Sequence, residues 1–140
     1  MSFQIRCRLP RTDTPDPKEL LGEVTITDGA TSFTKDTTYV DSWLEAIIHA
    51  YQDFEGQGRG TAEIVEEPLS ITICFEGPSV LVKIGDVGLK VADPASLRDE
   101  IRRAGKALLA DAGSDGSETP VLETIRDFSR GELTARKELR

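Results

Sequence analysis

The only histidine of the chain, His49, has a carboxylate four residues to either side, at Glu45 and Asp53. Residues four apart share one face of an α-helix, so the spacing alone sets an imidazole between two acids. Such a row can orient the ring and let it act as a general base near neutral pH. General-base chemistry also needs a nucleophile, an oxyanion donor or a metal within reach. The sequence holds no Gly-x-Ser-x-Gly elbow, no Cys-x-x-Cys and no His-Glu-x-x-His. Asp28-Gly29 and Asp86-Val87-Gly88 combine acid and glycine in the manner of turns, far from the calcium-loop pattern of the EF-hand. Gly56-Gln57-Gly58-Arg59-Gly60 is rich in glycine, but it follows a helix and precedes a strand. Phosphate loops do the reverse, and they carry a Lys-Ser or Lys-Thr pair that is missing here. Cys7 and Cys74 lie in strand-like runs, with no histidine or helix start beside them to activate a thiol. The expectation is a chain without a catalytic centre, a metal or a cofactor.

What these residues offer instead is charge. Asp41, Glu45, His49, Asp53 and Glu55 mark one helix and its ends, and Arg59 sits in the glycine-rich connection. Glu63, Glu66 and Glu67 cluster just beyond. If the helix and the next strand lie side by side, the carboxylates make one acidic field. A field of this kind steers a basic partner and raises association rate more than affinity. These residues form the expected partner-binding set.

The elements that must position them follow from hydrophobic period and punctuation. Residues 3–9 alternate, with Phe3, Ile5, Cys7 and Leu9 on one side, and Pro10 ends that strand. Residues 20–27 and 31–35 read as a hairpin closed at Asp28-Gly29. A helix over 42–54 follows, with Ser42 and Glu45 as a capping box and a stripe of Trp43, Leu44, Ile47, Ile48 and Tyr51. A short strand is expected at 62–66. Three more strands, at 69–76, 80–84 and 89–92, are joined by Gly77-Pro78 and Gly85-Asp86-Val87-Gly88 into a meander. Asp93-Pro94 and Thr119-Pro120 are two further helix starts, each a capping side chain followed by proline at the first helical position. Asp99 and Arg103 are spaced as a helical ion pair, and Gly113 is placed to end that helix. The expected fold is α+β: a single antiparallel sheet in the order β-β-β-α-β-β-β-β-α-α, with helices packed mainly on one face. Residues 1–113 are expected to form the core domain, and 114–140 a C-terminal helix and a frayed, charged tail.

Composition narrows the function classes. The 140 residues are 38% hydrophobic and 30% charged, as in a folded globular chain, with a net charge of −8. Residues 126–140 are net basic, so the remainder is more acidic still. That balance disfavours nucleic acid and anionic lipid and favours a basic protein partner. No apolar run approaches the ~20 residues that span a bilayer, and the N-terminus shows no secretory pattern, so a cytoplasmic protein is expected. The reading that fits best is a non-enzymatic, acidic protein-binding domain. Its most specific form is an immunity- or inhibitor-type protein covering the basic cleft of a toxin such as a nuclease. Two other readings compete: a structural or adaptor subunit of a larger bacterial assembly, docking through 119–140, and a small enzyme using Glu45, His49 and Asp53.

Overall fold

The computed structural model of the chain describes residues 2–11, 16–65 and 67–131. Three strands come first: β1 (Gln4–Arg8), β2 (Leu21–Thr27) and β3 (Ser32–Tyr39). Helix α1 (Val40–Gln57) leads into β4 (Arg59–Glu63), β5 (Ser70–Glu76), β6 (Ser79–Ile84) and β7 (Val87–Val91). Helices α2 (Pro94–Asp111) and α3 (Pro120–Ser129) close the described chain. The class is α+β and the element order is the expected one. The strands, however, form two antiparallel sheets, β1-β2-β3 and β4-β5-β6-β7, and not a single sheet.

The reason lies at the strand edges. On β1, the Ile5 N–H donates to Glu100 Oε2 at 2.8 Å, and Arg103 Nη2 donates to the Ile5 carbonyl at 2.7 Å. On β7, the Lys90 N–H donates to Asp28 Oδ2 at 2.9 Å. Side chains thus take the ladder groups through which β1 and β7 would otherwise pair. A groove of about 630 Å³ lined by Phe3, Gln4, Lys90 and Val91 runs between the two edges. Arg103 is held to Glu100 at 2.6 Å while it reaches Ile5, so the expected Asp99–Arg103 pair does not form, and Asp99 pairs with Arg98.

α1 is the central element. It packs on β4 and β5 of one sheet, on β2 of the other, and on α2 and α3. Trp43, Leu44, Ile48, Ala50 and Tyr51 are all buried along it, a wider face than the expected stripe. α1 also begins two residues early. β3 runs straight into it, the Val40 N–H is bonded to the Leu20 carbonyl, and Tyr39 is an N-cap with no side-chain bond. Ser42 and Glu45 are therefore interior to the helix and form no capping box. The helix continues through Gly56 and stops at Gly58, whose φ of 82° closes it with a bond from its N–H to the Phe54 carbonyl. One residue later the chain is already in β4. Gly60 makes that possible, because a Cβ there would lie 1.9 Å from the Ala50 carbonyl oxygen of α1.

The two later helices start as expected. Asp93 accepts from the Ser96 N–H and Thr119 from the Leu122 N–H, each with proline at the first turn. α2 ends in a Schellman motif, in which Gly113 N–H bonds Ala110 and Ser114 N–H bonds Leu109. α3 buries Leu122, Ile125 and Phe128 in the same core as both sheets. The tail beyond Gly131, expected to fray, lies outside the described residues.

Candidate protein-binding surface

The polar side of α1 is a narrow strip. Glu45, His49 and Asp53 are each half-buried along it, because the sheets and the other helices cover the rest of the helix. Asp41 stands in the first turn with Oδ1 buried and without a hydrogen-bond partner. Burial pushes its carboxyl above the usual range, and the charge of Glu45 adds to this, against the pull of the Asp41 and Ser42 N–H groups. Among the described residues, no group of three or more His, Cys, Asp or Glu side chains is placed to hold a metal ion. Cys7 is equally unsuited to chemistry, since burial pushes its thiol up to about 12.

The other acids do not all join this strip. In β4, Gly60 faces α1, so by alternation Arg59, Thr61 and Glu63 point to the opposite side of the sheet. Glu67 turns to β3. Its Oε2 accepts from Thr38 Oγ1 at 2.8 Å, and its Oε1 lies 3.6 Å from Lys35 Nζ. Thr38 in turn accepts from Trp43 Nε1 at 2.8 Å. Glu67 therefore completes a relay that satisfies the indole of the central helix. Glu66 lies outside the described residues.

Glu55 reaches a different feature, at the far end of α1. There a groove of about 660 Å³ is lined by Tyr51, Phe54, Glu55, Phe75, Asp93 and Arg98, among others. Phe75 is 54% exposed. It follows Ile71 and Ile73 on the inward side of β5, but α1 and α2 do not cover the end of the strand. Its ring centroid is 4.9 Å from that of Phe54, which is 5.9 Å from Tyr51, which is 5.8 Å from Phe128. An aromatic row thus runs from the core to an open end at the surface. The Tyr51 hydroxyl lies 3.4 Å from both Glu55 Oε2 and the Pro94 carbonyl. Burial first, then the Glu55 charge, pushes that hydroxyl up to about 12.

Phe75, Asp93 and Arg98 lie outside the expected partner-binding set, Asp93 being expected only as a helix cap. Alternation assigns Phe75 to the core, and only its place just before the Gly77-Pro78 turn hints that the cover runs out. No helix among the described residues is long and apolar enough to cross a membrane.

Fold and surface together define an α+β domain of two meander sheets around a central helix. No known protein family, curated protein or solved structure matches the chain.

Proposed function

We propose that this is a non-enzymatic protein-binding domain whose contact surface centres on the Phe75 groove. The observation that carries the reading is the Phe75 ring, more than half exposed on a floor of buried aromatic side chains. Interfaces draw most of their energy from a few aromatic anchors set in well-packed surroundings. A mobile side chain loses more entropy on binding than one held against Phe54, so the site is pre-organised. The rim holds Glu55 and Asp93 against Arg98, on a chain of net charge −8. The partner that fits presents an apolar side chain beside a cation. An inhibitor covering a basic protein surface, such as the cleft of a nuclease toxin, is the most specific partner of that chemistry. Glu45 and Asp53, on the polar strip of α1 beside His49 and outside the groove, add to the negative field that tunes the encounter rate.

The test is capture of partners from host extract by the wild-type chain and by Phe75→Ser, at low and at physiological salt. A partner lost in Phe75→Ser and captured less well as salt rises supports the reading. A partner set indifferent to Phe75→Ser removes it.

A further inference from the structure

The four outer strands of the two sheets differ in how their free edges are finished. β1 and β7 are sealed by the side-chain bonds of Glu100, Arg103 and Asp28 described above. On β4 the direction of the backbone groups follows from the register. The Ile64 N–H donates to the Leu69 carbonyl at 3.1 Å, and Ala62 and Gly60 sit opposite Ile71 and Ile73 in the same ladder. Alternate residues of an antiparallel strand bond to the same neighbour. Gly60, Ala62 and Ile64 therefore bond β5, and Arg59, Thr61 and Glu63 turn their N–H and C=O groups outward. Among the described residues nothing bonds these outward groups. Their side chains are exposed on the side of the sheet away from α1.

We infer that the β4 edge pairs with β4 of a second copy of this chain, joining two four-stranded sheets across a two-fold axis at Thr61. The sequence of β4, Arg-Gly-Thr-Ala-Glu, is self-complementary in that arrangement. With Thr61 opposite Thr61, each Arg59 stands opposite Glu63 of the second copy on the same face. All the outward groups find outward partners, because a register centred on Thr61 places Arg59, Thr61 and Glu63 only against one another. An isologous contact of this kind requires the same patch on both copies, which a palindromic strand supplies. Opposite charges directly across a strand pair stabilise it, and a shift by two residues would lose them. Thr61 already shares a cross-strand hydroxyl bond of 3.1 Å with Thr72, so its side chain is ordered before association.

β3 lacks this property. Its outward groups belong to Ser32, Thr34 and Asp36, by the same reasoning from the bond between Asp28 and Thr31. Pairing about Thr34 would set Asp36 against Ser32, with no opposite charge. β3 is also irregular, with a register shift between Gly22 and Val24 and a positive φ of 52° at Thr37.

A five-residue edge is small beside the roughly 1,600 Å² of a standard interface. Association is therefore concentration-dependent. The Phe75 groove reaches Gly58, the residue before this edge, but lies on the α1 side of the sheet, so Phe75→Ser and Thr61→Pro test the two readings apart.

The experiment is sedimentation of the full chain from micromolar to millimolar concentration, with amide exchange read at Thr61. The mass is expected to rise from 15.3 kDa toward twice that value, with Thr61 gaining protection as it does. Arg59→Glu replaces both opposite-charge pairs with like charges and is expected to weaken association about tenfold or more. The double variant Arg59→Glu with Glu63→Arg restores the pairing and should restore the dimer. Thr61→Pro removes an outward N–H, which leaves the backbone ladder of β4 to β5 intact though it gives up the hydroxyl bond to Thr72, and should give a folded monomer. A chain monomeric at every concentration overturns the inference. So does a dimer that survives Thr61→Pro, or protection of Thr61 by a different chain while this one stays monomeric.

Discussion

Glu67 shows how neighbours decide what a charged residue does. Next to Glu63, Glu66 and Pro68 it reads as one more acid in a solvated turn. In the fold it accepts from Thr38, which is buried and itself accepts from Trp43. The contact was illegible in the sequence because 29 residues separate Glu67 from Thr38, and hydrophobic period says nothing about polar partners that far apart. The consequence is testable. Glu67→Ala leaves the Thr38 hydroxyl without its acceptor in a buried site, which costs about 1–3 kcal/mol. Glu67→Gln keeps an acceptor at the same place and should cost less, the remainder being the weak pull of half-exposed Lys35. Urea unfolding of the two variants separates the terms. Equal midpoints for wild type and Glu67→Ala would mean that the relay contributes nothing. Phe75 teaches the complementary lesson. Its alternation with Ile71 and Ile73 was plain, but where the covering helices stop is a property of tertiary packing.

At the scale of elements, the strong local signals were sound and the boundaries were not. Asp93-Pro94, Thr119-Pro120, the Asp28-Gly29 turn and the meander of β5, β6 and β7 all appear where capping and turn chemistry place them. α1 differs at both ends, since its start is fixed by the Val40–Leu20 bond and its end by Gly58 and not by Gly56. In the sequence the glycine-rich stretch reads only as a connection from helix to strand. Its glycines instead have separate duties, and two substitutions distinguish them. Gly60→Ala would drive a methyl group into backbone atoms of Ala50 and Phe54, which cannot swing aside as a side chain can. Overpacking of that kind is expected to cost about 3 kcal/mol or more and to part α1 from β4. Gly56 lies in the helix with nothing within 4 Å of an added Cβ. Gly56→Ala is therefore expected to stabilise by about 0.5–1 kcal/mol through helix propensity. Thermal denaturation of the pair would settle the assignment, and a tolerated Gly60→Ala would show that the close approach to Ala50 is not obligatory.

At the scale of the whole molecule, the division into two sheets depends on a few side chains that bind strand edges, and Asp28 is the carboxylate that ties a hairpin of one sheet to the edge of the other. Its Oδ1 accepts from the Ala30 and Thr31 N–H groups within its own hairpin, while Oδ2 crosses to the Lys90 N–H of the other sheet. These bonds, that from Lys90 foremost, hold the carboxyl below the ordinary aspartate range. A carboxylate with a depressed folded pKa adds stability that is fully present above its unfolded value, about 3.9. That stability is lost as pH falls through the lower folded value. Asp28→Asn preserves the hairpin acceptor but turns an amide donor toward the Lys90 N–H, so it should lose about 1 kcal/mol at neutral pH, the size of a net hydrogen bond. Asp93 and Asp115 are also held low, by Ser96 and Ser117, but both remain in the variant and cancel in the comparison. The gap between wild type and Asp28→Asn should therefore stay level from neutrality down to about pH 5, then close as the wild-type carboxylate takes up its proton below about pH 4. Urea midpoints measured across that range test this. A gap as wide at the acid end as at neutrality would mean that the link between the sheets owes nothing to the charge of Asp28.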